Sequence, residues 1–284
     1  MYKLQQRINR LIIKLSYRLG ITYLWSKPKM ISLDPTNHCD LKCPLCPTGL
    51  RDRTVERGSI KLEQFKSIIN KLGKNLQSVN LYSWGEPLLH KSLVDMIRHS
   101  AKTHNIRTIT SVHLGNLSSE QVEGIVTSGL DKLIVSIDGV TQEIYEIYRV
   151  GGDIENVFNN MRRLVESKKR HNSNLSIVWN FLVMKQNEHQ IEDFKKLAKE
   201  LEVDEMELGN IQLNPNTAAE KWLPKDKQYV YDTYQGENRT TPCHWPWSGL
   251  TINWDGGISP CPIVDDPKAD FGNVIEDGLM NVWN

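Results

Sequence analysis

Asp34-Pro35-Thr36-Asn37-His38-Cys39-Asp40-Leu41-Lys42-Cys43-Pro44-Leu45-Cys46 places three cysteines within eight residues, at C-x₃-C-x₂-C spacing. Three thiolates that close grip a metal centre from one side and leave its other side open. An iron–sulfur cube held this way keeps one iron without a protein ligand, and an exchangeable molecule can occupy that position. Ferredoxin spacings are similarly compact but supply a fourth cysteine; here none follows until Cys243. Zinc is the alternative reading. It wants four Cys/His ligands in a closed tetrahedron, and His38, awkwardly placed directly before Cys39, is the nearest candidate for the fourth. A disulfide fits poorly, because three close cysteines cannot all pair.

On either side of this loop the chain alternates strand and helix signals. Apolar strands are expected at Met30–Leu33, Val79–Tyr82, Arg107–Ser111, Leu133–Ile137, Leu175–Val183 and Glu205–Leu213. Helices are expected at Ile60–Leu72, Leu88–Thr103, from Ser118 onward, at Thr141–Tyr148, Glu155–Arg170 and Glu188–Glu200; Ser118-Ser119-Glu120-Gln121 has capping-box spacing. Such alternation argues a parallel sheet with right-handed crossovers. The fold class is therefore α/β: a partial TIM-type (β/α)6 barrel, with its site at the C-terminal ends of the strands. Leu250–Trp254, the turn Asp255-Gly256-Gly257 and Ile258–Cys261 add a small C-terminal β-hairpin extension. The expected organisation is a basic amphipathic helix over 1–29, the barrel over 30–213, a polar linker over 214–239 and the extension over 240–284.

The bulk numbers exclude several classes. The 284 residues are 39% hydrophobic and 24% charged, as in ordinary globular proteins. A net charge of +1 carries no global field for nucleic acid. Five cysteines, three of them clustered, fit metal ligation in a reducing compartment, so a cytoplasmic location is expected. No apolar run reaches the roughly 18 residues of a membrane span. The first 30 residues carry seven Lys/Arg and no acid. Leu4, Ile8, Leu11, Ile12, Leu15 and Leu19 make an apolar helical stripe beside Lys3, Arg7, Arg10, Lys14 and Arg18. The expectation is a helix packed across the barrel with its basic face in water; a weak membrane-surface contact through residues 1–20 stays open.

Three further stretches sit at expected strand ends. Trp84-Gly85-Glu86-Pro87 fixes a tight turn and offers a carboxylate, either as acceptor for a ligand amine or as a solvated surface group. Ser136 and Asp138 alternate with apolar Val135 and Ile137 and so share a side; they suit ribose hydroxyls or, alternatively, a helix N-cap. Arg149 can clamp a carboxylate bidentately or form a surface ion pair. Ser111 and His113, at the end of the third strand, are further pocket candidates.

Taken together, these motifs resemble the radical S-adenosylmethionine (radical SAM) superfamily. The resemblance implies a 4Fe–4S cluster on Cys39, Cys43 and Cys46, with the amino and carboxylate groups of SAM on the open iron. In that family an electron from the cluster cleaves SAM to methionine and a 5′-deoxyadenosyl radical, which removes hydrogen from a substrate; the cofactor carries the hard chemistry. Gly85, Glu86 and Pro87 resemble the GGEP element that holds the SAM amino group, with Trp84 in place of its first glycine. Ser136 and Asp138 resemble the ribose element, and Arg149 resembles an arginine on the SAM carboxylate. Leu45 stands where many members carry an aromatic residue near the adenine. The tail resembles the start of a SPASM or twitch extension, through Cys243, Pro246-Trp247, the Asp255-Gly256 hairpin, Cys261, Gly272-Asn273 and Val282-Trp283. That implies a second, auxiliary 4Fe–4S cluster on Cys243 and Cys261. Only 23 residues follow Cys261, without a further cysteine, so the module reads as incomplete unless His244 or Asp265 contributes. If no cluster forms there, Cys243 or Cys261 becomes a candidate hydrogen donor.

The expected activity is hydrogen abstraction leading to dehydrogenation or epimerisation of a sugar- or aminocyclitol-type small molecule. A peptide or protein side-chain maturase is the alternative, and a non-catalytic metal-stabilised scaffold is the rival from another class. The implied partners are a small-molecule or peptide substrate and an external one-electron reductant of flavodoxin or ferredoxin type.

Overall fold

A computed structural model describes residues 2–50, 55–213, 217–235, 242–264 and 266–284. Six parallel strands form in chain order: β1 (Met30–Leu33), β2 (Ser78–Asn80), β3 (Arg107–Val112), β4 (Lys132–Ser136), β5 (Ser176–Val183) and β6 (Glu205–Asn210). The helices are α1 (Tyr2–Leu19), α2 (Pro47–Leu50), α3 (Leu62–Leu72), α4 (Leu93–Arg98), α5 (Ser119–Thr127), α6 (Gln142–Tyr148), α7 (Ile154–Arg170), α8 (Ile191–Glu200), α9 (Ala219–Trp222), α10 (Trp245–Ser248) and α11 (Leu279–Trp283). This is the expected α/β partial barrel. The strands form because alternate or continuous apolar residues find cover: Ile31, Leu33, Val79, Leu133, Val135, Ile177, Trp179, Phe181 and Val183 are fully buried in one core. Near-continuous apolar character is what a parallel strand covered on both faces requires.

The C-terminal extension is part of the same sheet. β7 (Gly249–Ile252) lies parallel to β1, pairing Met30 with Gly249 and Leu33 with Ile252. β8 (Ile258–Ser259) returns antiparallel to it. The strand order is β6-β5-β4-β3-β2-β1-β7-β8. Gly256, at φ +93°, makes the hairpin turn that the Asp-Gly-Gly run predicts. The Trp247 and Trp283 indoles donate to Ile21 and Ser26 carbonyls, tying the tail to the segment that precedes β1.

Two elements depart from expectation. The helix expected over Leu88–Thr103 is divided into a 3₁₀ turn at Pro87–Leu89, then α4, then a wider π turn at His99–Thr103. His90 fixes the break: its Nε2 meets the Ile60 carbonyl at 2.9 Å, and its Nδ1 accepts the Ser92 N–H. The second departure is α1, which does not bury its leucine stripe. It packs through Asn9, Ile13 and Ser16, leaving Leu4, Ile8, Leu11, Leu15 and Leu19 exposed. Asn9 decides this orientation by bonding both backbone groups of Lys27. No helix among the described residues is long and apolar enough to cross a membrane.

Phe181 is fully buried and stacks on Phe194 with centroids 4.9 Å apart. Phe181→Ala is expected to lower stability by about 3–5 kcal/mol, read as a fall in the urea midpoint.

Candidate active site

All the strand C-termini of the barrel point one way, so the loop after β1 meets those after β2, β3 and β4. The cysteine loop leaves β1 at Asp34 and is pinned from outside. Asn37 accepts the Gly58 N–H and donates to the Glu56 carbonyl, while Thr36 Oγ donates to the Gly58 carbonyl. Arg57 reaches across the loop, bonding the Asn37 carbonyl at 2.6 Å and the Thr48 carbonyl at 3.3 Å. From below, Leu41, Cys43 and Leu45 pack with Tyr148, Met184 and Ile211 in a small apolar cluster of their own. Leu45 is thus a packing residue of the loop. Gly49 closes it: a Cβ there would lie 2.4 Å from the Cys43 carbonyl. The Thr48 and Gly49 N–H groups donate to the Cys46 sulfur.

The result is a cavity of about 170 Å³ with Cys39, Cys43 and Cys46 in its wall. Tyr82, Ser83, Trp84, Gly85 and Glu86 line it from the end of β2, Ser111 and His113 from β3, Ser136 from β4, and Arg149 from the end of α6. His38, weighed as a zinc ligand, is exposed and does not line it.

The β2 turn is held by close backbone approach. A Cβ on Gly85 would sit 1.7 Å from the Thr36 carbonyl oxygen, so only glycine fits. The next residue, Glu86, donates its N–H to the His38 carbonyl. Asp34 receives the Trp84 and Gly85 N–H groups; burial pushes its carboxyl up to about 7, against those hydrogen bonds and the Arg57 charge. Glu86 is itself buried, which raises its carboxyl. Its Oε1 accepts from Leu88 N–H and its Oε2 from His113 N–H at 2.8 Å. Pro87 starts the 3₁₀ turn and stays behind Glu86, outside the cavity lining.

His113 joins two acids. Its Nε2 meets Asp40 at 2.7 Å and Glu86 at 3.4 Å. Burial opposes charge on this ring, and Glu86 and Asp40 push it up. The Gly115 N–H points at Nδ1 from 3.0 Å, which assigns Nδ1 as an acceptor and sets the ring proton on Nε2. The Asp40 carboxyl is lowered, chiefly by the His113 hydrogen bond.

Ser136 lines the cavity, with its hydroxyl 3.3 Å from that of Ser111. Asp138 does not, which corrects its expected place beside the ribose. Its Oδ1 accepts the Leu182 N–H and its Oδ2 the Arg149 Nε at 2.6 Å. Burial raises its carboxyl, and Arg149 holds it back. Asp138 therefore anchors the arginine, whose guanidinium lies 5.3 Å from the Tyr148 ring centroid. Cys43 is pushed up to about 11 by burial, with Arg149 acting against the shift; metal ligation releases such a proton.

The C-terminal cysteines lie elsewhere. Cys243 precedes the first residue of β7, which pairs with the first residue of β1, so it belongs to the opposite end of the sheet. From β8 the chain runs antiparallel to β7, back from the strand ends toward Cys261. Neither lines the cavity, which removes the expected hydrogen-donor role. Two thiols are half the ligand set of a cubane. His244 is exposed, and Asp265 lies outside the described residues.

The donor set suits an iron–sulfur cluster with a chelated ligand. Three thiols, a guanidinium and a carboxylate line the same cavity. Ser83 Oγ is buried there without a hydrogen-bond partner among the described residues. Sequence patterns did not single out Asn37, Asp40, Gly49, Arg57 or Ser83. Asn37 and Asp40 flank Cys39 and were visible as neighbours; Arg57 carried no local signal.

Gly85→Ala is expected to displace the cysteine loop and lower the thermal midpoint, because the obstructing atom is backbone. Asp138→Ala leaves Arg149 buried without its partner and should lower unfolding free energy by about 3–5 kcal/mol, measured by urea titration; an unchanged midpoint contradicts the anchoring role.

Comparison with known proteins agrees with this geometry. Residues 33–198 match the model of the radical SAM superfamily, and residues 243–284 match that of SPASM, an iron–sulfur cluster-binding domain. PqqA peptide cyclase of Rhodopseudomonas palustris is 29% identical over 188 residues, covering 65% of this chain and 47% of that protein. The chain thus spans about half the length of that relative. A probable GTP 3′,8-cyclase of Methanococcus maripaludis is 25% identical over 274 residues, covering 87% of this chain and 89% of that one. Among solved structures, Streptococcus suis SuiB bound to S-adenosylmethionine superposes with a TM-score of 0.72 at 17% identity, covering 94% of this chain and 68% of SuiB. With its cysteine loop, strand-end cavity and C-terminal extension, the chain belongs to the radical SAM superfamily and carries a SPASM-type extension, with 4Fe–4S and SAM as its cofactors.

Proposed function

We propose that Cys39, Cys43 and Cys46 hold the cluster, that Glu86, Ser136 and Arg149 hold SAM, and that the enzyme removes hydrogen from an unactivated carbon of a peptide. The observation that carries the cofactor roles is the shared cavity, where residues from four separate loops converge. When bound, the cluster and SAM supply one-electron bond cleavage and hydrogen-atom abstraction, driven by an external flavodoxin- or ferredoxin-type reductant. The chain's own work is positional. Glu86 presents a buried carboxylate to an amino group, and its orientation is held by the Leu88 and His113 N–H groups. Arg149, kept cationic and aimed by Asp138, faces a carboxylate. The Ser111–Ser136 hydroxyl pair suits a diol. The apolar cluster around Leu41, Leu45 and Tyr148 shields the loop from water.

The peptide reading is supported by the likeness to PqqA peptide cyclase. Dehydrogenation or epimerisation of a sugar-type molecule is the second reading. An auxiliary cluster on Cys243 and Cys261 remains part of the proposal only as a partial ligand set, and no chemistry is assigned to it.

Anaerobic reconstitution tests the assignment. Cys43→Ala should fail to retain iron and should not form 5′-deoxyadenosine. Glu86→Gln should keep iron but bind SAM about tenfold more weakly by calorimetry, as expected when a charged acceptor is lost. A colourless zinc protein would overturn the cofactor roles. Mass spectrometry of short peptides encoded beside the gene decides the substrate: loss of a hydrogen pair supports the peptide, whereas turnover only with aminocyclitols selects the second reading.

A further inference from the structure

The leucine face of α1 has no cover. Leu4, Ile8, Leu11, Leu15 and Leu19 are 50–67% exposed. The segment that leaves the helix adds Ile21, Tyr23 and Trp25, exposed 40, 59 and 83%. α1 is anchored through Asn9, Ile13 and Ser16, a face roughly 120° around the helix from the leucines at about 100° per residue. Exposed Arg7, Arg10, Lys14 and Arg18 run along the stripe's other flank. Through Met30 the segment has no Asp or Glu.

We infer that this face is a docking surface for an anionic phospholipid bilayer, with α1 lying in the plane of the interface. An apolar stripe bordered by Arg and Lys, on a helix that is polar overall, is the build of an interfacial rather than a spanning helix. The acid-free sequence is complementary to a negative lipid surface, where each nearby cation adds attraction. Tyr23 and Trp25 are the residue types that settle at headgroup level. They follow the helix in irregular chain, which suits a broad fluid surface better than the narrow seam of a partner helix. Orientation is compatible with catalysis. α1 packs on the Gly73–Asn75 turn leading into β2 and on α10 leading into β7. It therefore sits at the N-terminal end of the sheet, and the cavity at the other end faces away from the docked surface.

The test is flotation of the full chain with vesicles of phosphatidylglycerol and phosphatidylcholine, against phosphatidylcholine alone. The chain should float with the anionic vesicles at low salt, be released at high salt, and bind neutral vesicles at least about tenfold less. The double variant Leu11→Glu/Leu15→Glu should lose flotation while keeping its thermal midpoint and SAM affinity, since both side chains are exposed. Lys14→Gln/Arg18→Gln should weaken binding to anionic vesicles only. Equal binding to both vesicle types, no flotation, or indifference to the glutamates overturns the inference. So does a dimer in sedimentation velocity that the glutamates split, which would make the stripe a self-association seam.

Discussion

The contact on which the site depends is the crossing of two backbones, where Gly85 lies against the Thr36 carbonyl with no room for a side-chain carbon. It sets the loop after β1 directly on the loop after β2. The Glu86 N–H then reaches the His38 carbonyl, and the Asp34 carboxylate receives the Trp84 and Gly85 N–H groups. Three cysteines and a glutamate thereby face one small space, although Cys46 and Glu86 lie 40 positions apart in the chain. Arg57 and Asn37 complete the clamp from the outer side.

Around that crossing the protein buries ionisable groups against partners. Asp138 pairs with Arg149, and the His113 ring sets its Nε2 between Asp40 and Glu86. Breaking such a pair costs more than forming it gains, because the survivor stays buried. The arrangement is useful at a site that must present an arginine and a carboxylate in fixed directions. The cavity-lining Arg149 is thus aimed by Asp138, which stays outside the cavity lining, as supporting shells do around metal centres.

The C-terminal extension and the N-terminal helix meet at the other end of the sheet. β7 adds to β1, and the indoles of Trp247 and Trp283 fasten the Ile21–Ser26 segment. The extension therefore bears on the barrel edge that carries the cysteine loop. α1 is carried on this joint with its leucines outward, so one end of the sheet is built for chemistry and the other offers an apolar, basic surface.

Much of this was legible in the residues alone. The cysteine spacing, the alternation of strands and helices, and the turn at Asp255-Gly256-Gly257 follow from local chemistry and period; they determined a metal site with an open side, the fold class and the strand ends where function gathers, while the cofactors followed from the resemblance of the motifs to the radical SAM superfamily. Other features were decided only by tertiary structure. Period two put Ser136 and Asp138 on one side, yet only the Leu182 N–H and Arg149 show why Asp138 is occupied. Period 3.6 marked the α1 stripe, yet the Asn9–Lys27 bonds turned it outward. Periodicity states which residues share a face. Which face is covered depends on partners elsewhere in the chain, and those distances exist only after folding.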